Sequence, residues 1–425
     1  MTNNIKHEKS IDSNDVLKIA MLSIHSSPVG ELGTSDTGGM SVYIRELAEE
    51  LGKTGVSTDI FTLCQNRQSS SITSLYKNVR LIYLNIKTDQ PIIKETLFDD
   101  LPSVFDAFNE TVTKDQTDYD KAGYDLIHSH YWLSGVLGNQ IKQKYDLPHI
   151  ITFHTTGAVK NRFCTQELEP DFRIEKEKGL TAACDRIVAS TQNEAHDLIS
   201  LYNAESEKIS VVPAGVNLEL FKPLDKTAAC REIDFNDDAK LLLYVGRHVP
   251  IKGLDRLLKT ISEIRNKISL RLLVIGGDDE NEKLKSTIKD LNIQKEVDLS
   301  GRKDQKFLPA YYSAADMLVV PSYHESFCLA GLESLACGTP VVSTPVGIMP
   351  TIINNKNGCI LTENNDSAMA EAILRVANNH DRGNYSPAQI RNSVKDYSWA
   401  NTAELMLGEY HRVISNFDNK KGEGK

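Results

Sequence analysis

The sequence is short of several features that would settle its class at once. Its seven cysteines, at 64, 164, 184, 230, 328, 337 and 359, are odd in number and never form a C-x-x-C pair. That pattern argues against a disulfide framework and against a zinc site of the usual spacing, and it fits a reducing compartment. No apolar run approaches the ~20 residues that a membrane-spanning helix requires. The opening MTNNIKHEKSIDSND lacks the apolar core of a secretion signal, so a cytoplasmic location and no integral membrane association are expected. Long basic runs are missing too. The 48 Lys and Arg against 58 Asp and Glu leave a net charge of −10, which makes nucleic acid and anionic membranes poor partners.

What is present is an ordinary globular composition, 40% hydrophobic and 25% charged, over 425 residues. That length exceeds one typical core and divides naturally into two domains. KIAMLSIH, STDIFTLC, VRLIYLNI, YDLIHSH, HIITFHT, RIVAST and ISVVP read as strands, rich in Ile, Val and Leu and mostly lacking strict alternation. Such runs suit parallel strands covered by helices on both faces. After VVPAGVNLELFKP the pattern restarts with KLLLYVGR, LRLLVIGG, VDLSG, DMLVVPS, PVVST and GCILT. The link is expected at about 212–225, giving domains 1–212 and 213–425. A last helical segment, about 399–415, has no strand after it.

Four stretches carry chemistry. In PSYHESFCLAGLESLACGTPVVSTPVG, residues 321–347, a strand end leads through a polar turn with Glu325 into a helical segment holding Glu333. Backbone N–H groups around Ser326, Phe327 and Leu329 would face an anion there. A carboxylate only accepts hydrogen bonds, so sugar and ribose hydroxyls are natural partners for both acids. In YVGRHVPIKG a strand delivers Arg247 and Lys252 to a helix start, where two cations suit a diphosphate that gains charge as a sugar departs. In SIHSSPVGELGTSDTGGMSVYIRELAEEL a strand ends at His25, and Gly38 and Gly39 open an amphipathic helix. Paired glycines at a helix start let a phosphate or sugar approach the backbone. This loop is not G-x-G-x-x-G, which disfavours a dinucleotide dehydrogenase. Finally His128, His130 and His154 stand at the ends of two strands without a third ligand cluster, so no metal is expected.

The 321–347 stretch resembles the E-x7-E signature of retaining group 1 glycosyltransferases of the two-Rossmann-domain (GT-B) type, and GRHVPIK resembles their G-R-x-x-x-x-K phosphate motif. The resemblance implies an α/β GT-B fold, with two doubly wound parallel-sheet domains facing a cleft and the last helix crossing back to the first domain. It assigns Glu325 to the donor sugar and Glu333 to the nucleotide ribose, with Ser326 and Phe327 on the donor. Arg247 and Lys252 fall on the departing diphosphate and Lys303 on the nucleobase. Cys328 stands where the family usually has Gly.

The loop 23–51, together with HSHYWLSG, the Thr155 region and AVKN, is similar to the inositol-phosphate N-acetylglucosaminyltransferases of that family. By this likeness His25, Asp36, Thr37, Gly38, Met40 and Ser41 face the acceptor, while Glu31, Leu32 and Gly39 face the donor. Lys94, Tyr131, Thr155 and Arg173 would hold an acceptor phosphate, although a solvated Arg is the default for a charged helix such as DFRIEKEKGL. Ser41 replaces the family's Asn. His154 would lie beside the donor sugar, completing a catalytic set with Arg247, Lys252 and Glu325. The activity implied is transfer from a UDP-sugar, as substrate and with no cofactor, to a small phosphorylated polyol. A sucrose-phosphate synthase using fructose 6-phosphate is the neighbouring alternative, and a non-catalytic nucleotide-sugar-binding protein is the alternative from another class. Small molecules are the expected partners, with monomer and homodimer both open.

Overall fold

The computed structural model describes residues 16–30, 38–63, 71–86, 94, 96–114, 122–163, 168–277, 281–363 and 365–423. Among the described residues, fourteen strands fall into two sheets. The first contains β1 (Lys18–Leu22), β2 (Ser57–Leu63), β3 (Ile72–Tyr76), β4 (Val79–Leu84), β5 (Leu126–His130), β6 (His149–Thr152), β7 (Arg186–Ala189) and β8 (Ile209–Val211). The second contains β9 (Lys240–Val245), β10 (Leu270–Ile275), β11 (Val297–Leu299), β12 (Met317–Val320), β13 (Val341–Ser343) and β14 (Gly358–Ile360). Their orders are β3-β4-β2-β1-β5-β6-β7-β8 and β11-β10-β9-β12-β13-β14. Every pairing is parallel except β3 with β4. These are the two doubly wound α/β sheets of a GT-B architecture.

The Ile, Val and Leu runs are strands because both faces are covered: Ile19 to Leu22, Leu126 to His130 and Met317 to Val319 are all 1% exposed or less. The hairpin strand β3 is absent from the sequence reading. It pairs antiparallel at the sheet edge and is mostly exposed, so neither an apolar run nor a helix crossover marks it. Asn78, at φ 60°, makes its turn.

The order within each sheet reverses at one place, between β1 and β5 in the first and between β9 and β12 in the second. Doubly wound sheets bind ligands beyond the carboxyl ends of the strands at such a reversal. His25 follows β1, Tyr131 follows β5, Arg247 follows β9 and Glu325 follows β12, so all four strands flanking the two reversals lead to residues singled out above.

The final helix runs from Trp399 to Glu423, longer than the sequence suggests. Its Tyr410 hydroxyl lies 2.8 Å from His128 Nδ1, Trp399 packs edge-on to Tyr43 at 5.5 Å between centroids, and Glu409 accepts from Ser210 at 2.7 Å. It therefore rests on elements of the first sheet. No helix among the described residues is long and apolar enough to cross a membrane.

Candidate active site

Between the two sheets lies a cavity of about 340 Å³. One wall comes from the first half of the chain: the helix start at Gly38, Gly39 and Met40, then His25, Lys94, Tyr131, His154 and Thr155. Arg247, Lys252, Glu325, Ser326 and Phe327 form the opposite wall.

A glycine brings Lys252 to Glu325. Gly253 sits at φ 68°, and a Cβ added there would lie 2.2 Å from the Pro321 carbonyl oxygen. Only glycine lets the short turn Pro250–Lys252 press against the end of β12, where the Tyr323 N–H donates to the Ile251 carbonyl at 2.8 Å. Lys252 Nζ then meets both Glu325 oxygens, at 2.7 and 2.6 Å, and the Ser322 hydroxyl donates to Oε1 at 2.8 Å. Burial by itself pushes the Glu325 carboxyl up; the Lys252 charge and these hydrogen bonds outweigh it and hold the group below the usual carboxylate range. The helix Leu329–Ala336 starts beside this pair with no side chain capping it, so its N-terminal dipole end faces the cavity.

Three residues that line the cavity hold left-handed backbone without being glycine: Tyr131 at φ 75°, His154 at φ 60° and Cys328 at φ 84°. Such conformations cost on the order of 1–2 kcal/mol each and persist where the surroundings enforce them. Cys328 stands where the resembled family usually has Gly, and its left-handed φ is a physical reason for that preference.

On the first wall, the Tyr131 ring lies between two cations, with Lys94 Nζ and the Arg173 guanidinium each 4.9 Å from its centroid. His25 packs on the same ring at 4.3 Å, and Arg173 Nη2 donates to the Thr155 carbonyl at 3.1 Å. Burial, then the charges of Lys94 and Arg173, keep His25 neutral by pushing its pKa well below the usual imidazole value. Its Nδ1 and the Thr155 Oγ1 are buried with no hydrogen-bond partner among the described residues. His154, whose pKa burial lowers to about 3, has Nε2 2.9 Å from His130 Nδ1. Its carbonyl accepts from the Ser326 hydroxyl of the opposite wall.

Residues 225–395 match the family described as glycosyl transferases group 1, and residues 37–220 match glycosyltransferase family 4. A protein of Mycobacteroides abscessus named D-inositol 3-phosphate glycosyltransferase is 33% identical over 408 residues, covering 94% of this chain and 90% of that protein. The chain belongs to the group 1 glycosyltransferases. Among solved structures, the sucrose-phosphate synthase of Thermosynechococcus elongatus matches with a TM-score of 0.85 and 29% identity, over 94% of this chain and 100% of that one. Anabaena HepE in complex with UDP and glucose shares the fold at a TM-score of 0.70 and 16% identity, over 92% of this chain and 98% of that one. The protein is thus a glycosyltransferase enzyme, of a family whose donors are nucleotide sugars.

In this glycosyltransferase several expected residues stand away from the cavity lining. Ser41 is fully buried, its hydroxyl 2.9 Å from that of Ser26. Arg173 is 2% exposed behind Tyr131 and ion-paired with Glu169 and Glu177, each at 2.7 Å, which overturns the solvated default for its helix. Only Glu177 shares the helix Asp171–Ala183 with Arg173, one turn on; Glu169 reaches it from the segment before the helix. Glu333 lies one turn into its helix, where Tyr312 Oη and Gln305 Nε2 donate to it at 2.8 and 3.1 Å. Lys303 is half-buried in the loop after β11. Glu31, Leu32, Asp36 and Thr37 fall outside the described residues.

His128 is a satisfied core histidine, bonded to Thr152 as well as to Tyr410. Among the described residues no cluster of three His, Cys, Asp or Glu side chains is placed to hold a metal. Lys160 and His324 are among the lining residues that were not singled out in the sequence. Lys160, ion-paired with Glu169, lies in the AVKN run, and His324, stacked on Phe163 at 5.3 Å, immediately precedes Glu325. The first could have been found from its run; nothing in the sequence marks the stacking of the second.

Proposed function

We propose that this glycosyltransferase transfers a sugar from a UDP-linked donor to an inositol phosphate, or a closely similar phosphorylated polyol, keeping the donor's anomeric configuration. The observation that carries the reading is the gathering of Lys94, Tyr131, Thr155 and Arg173 from four separate segments around one ring, opposite Arg247, Lys252 and Glu325. Lys94 with the Tyr131 and Thr155 hydroxyls on the lining, backed by Arg173 behind them, suits a phosphate better than an uncharged acceptor. The names of the relatives agree with that acceptor. Arg247 and Lys252 would stabilise the departing diphosphate, whose oxygen takes the acceptor's proton. Glu325 would accept from a donor-sugar hydroxyl, Glu333 from the ribose, and Lys303 would lie at the nucleobase. Neutral His154 would lie beside the sugar. His25, Met40, Ser41 and the Gly38 backbone would shape the acceptor side. The domain boundary is placed at 212–213, and the enzyme in the cytoplasm.

The structural match to a sucrose-phosphate synthase favours a second acceptor, fructose 6-phosphate. One experiment separates them: UDP- and GDP-sugars are offered with inositol phosphates and hexose phosphates, reading nucleotide release, product mass and anomeric configuration by NMR. Product formed from an inositol phosphate with UDP-sugar alone is expected. Preference for fructose 6-phosphate, or for an unphosphorylated polyol, overturns the acceptor, and an inverted product overturns retention.

A further inference from the structure

Glu333 is reached by a chain of hydrogen bonds that starts on the opposite side of the cleft. Arg45, on the helix Gly39–Lys53 of the first half, donates through Nη2 to Gln305 Oε1 at 2.6 Å. Gln305, in the short turn Gln305–Phe307 of the second half, donates through Nε2 to Glu333 Oε1 at 3.1 Å. Arg45 is itself steadied by Glu46 at 3.2 Å, and Glu46 accepts from Asn217 of the linking segment at 3.3 Å.

This chain has one consistent direction. A guanidinium can only donate, so the amide oxygen of Gln305 must face Arg45, which leaves the amide NH2 for Glu333. Flipping the amide would set NH2 against guanidinium and oxygen against carboxylate, losing both bonds. Arg45 therefore fixes which end of Gln305 the carboxylate meets. Glu333 has no ion-pair partner within 4 Å among the described residues; its two donors are neutral, Gln305 and Tyr312. Burial foremost pushes its carboxyl up to about 7, with the two hydrogen bonds pulling the other way. A ribose hydroxyl needs the ionised, accepting form, so any donor that favours that form favours nucleotide.

The geometry points to Gln305 as a positioning residue for Glu333, oriented from across the cleft by Arg45, so that nucleotide affinity depends on the two halves being closed together. This rests on the reading of Glu333 as the ribose carboxylate. Opening the cleft removes Arg45, frees the amide to turn and weakens the nucleotide site at a residue that Arg45 never touches.

The test is UDP binding by calorimetry on the full chain and its variants. Arg45→Ala and Gln305→Ala should each raise the UDP Kd by about tenfold, the scale of one hydrogen bond to a charged group. The double variant should be no weaker than the weaker single, because both remove the same link. Arg45→Lys, which can still donate to the amide oxygen, should recover part of the loss. Gln305→Glu, which sets a second carboxylate against Glu333, should bind more weakly than Gln305→Ala. Wild-type UDP affinity in Arg45→Ala overturns the proposal, and so do fully additive losses. Should Arg45→Ala melt early, Gln305→Ala and Arg45→Lys carry the test. Glu333→Ala separates the two layers: unchanged UDP affinity there refutes the ribose reading itself, whereas a loss there with Arg45→Ala unaffected refutes only the relay.

Discussion

Lys252 grips Glu325 by both carboxylate oxygens, at 2.7 and 2.6 Å, across the mouth of the turn that Gly253 makes possible. The cation is therefore already oriented at the edge of the cavity, as electrostatic catalysis requires. Lys252→Ala should lower turnover by at least ~10²-fold, since removal of one preorganised stabiliser typically costs about 3 kcal/mol of barrier. The fold should survive, because Lys252 is partly exposed and lies on a surface turn. Initial rates at saturating donor, with circular dichroism as the control, check this; turnover within threefold of the wild type removes Lys252 from the chemistry.

Glu333 supplies a pH dependence with a definite sign. Its carboxyl is raised to about 7 in the folded protein, above its value in the unfolded chain. The stability tied to its protonated form is thus present below about pH 4.3, the unfolded value, and is lost as pH rises toward 7. Donor affinity should run the other way, because a ribose hydroxyl donates best to the ionised form. Donor KM should fall between pH 6 and 8, a range in which the diphosphate of a nucleotide sugar does not titrate. Glu333→Gln should flatten that profile. An equally steep profile in the variant assigns the titration to another group.

Much of this was legible because its causes are local. Parallel strands buried on both faces announce themselves as Ile, Val and Leu runs, and the ends of those runs located His25, Arg247 and Glu325 without knowledge of the third dimension, whereas Tyr131 came from the family resemblance. Arg173 was not legible. Its helix reads as charged and solvated, and only pairing with Glu177 one turn on and with Glu169 of the preceding segment accounts for its burial. The partners of Glu333 were equally hidden: Gln305 and Arg45 stand 28 and 260 residues from their respective partners. No periodicity encodes pairing at such separations. The hairpin strand β3 escaped for the opposite reason, being exposed and edge-bound.

Cys328 offers a test of backbone strain at the cavity wall. Its φ of 84° is the left-handed region, and its thiol is buried, which raises its pKa and keeps it neutral. Cys328→Val puts a β-branched side chain into that conformation and should cost about 2 kcal/mol. Cys328→Gly should stay within about 1 kcal/mol of the wild type, since relief of strain offsets the lost packing and the greater freedom of glycine in the unfolded chain. Thermal midpoints decide it; equal losses in both variants would mean that packing of the thiol, rather than φ, dominates at this position.

The proposed acceptor side demands a choice of variant, because Lys94 and Arg173 differ in how they are held. Arg173 is buried between Glu169 and Glu177, so Arg173→Ala would leave the buried Glu177 carboxylate without its cation, Glu169 keeping Lys160, and should cost about 3–5 kcal/mol of stability, which masks any effect on acceptor binding. Lys94 lines the cavity over the same Tyr131 ring, outside the ion pairs of Arg173 with Glu169 and Glu177. Lys94→Ala leaves the buried Arg173 ion pairs in place and should raise acceptor KM about tenfold or more if the acceptor carries a phosphate, while donor KM stays within twofold. With an unphosphorylated acceptor the same substitution should matter little. Measuring KM for inositol and for inositol phosphate in both enzymes isolates the phosphate contribution. Equal effects of Lys94→Ala on both acceptors would show that this cation reads the polyol or the tyrosine ring rather than a phosphate, and the phosphate would then have to be held by Arg173 and Thr155 alone.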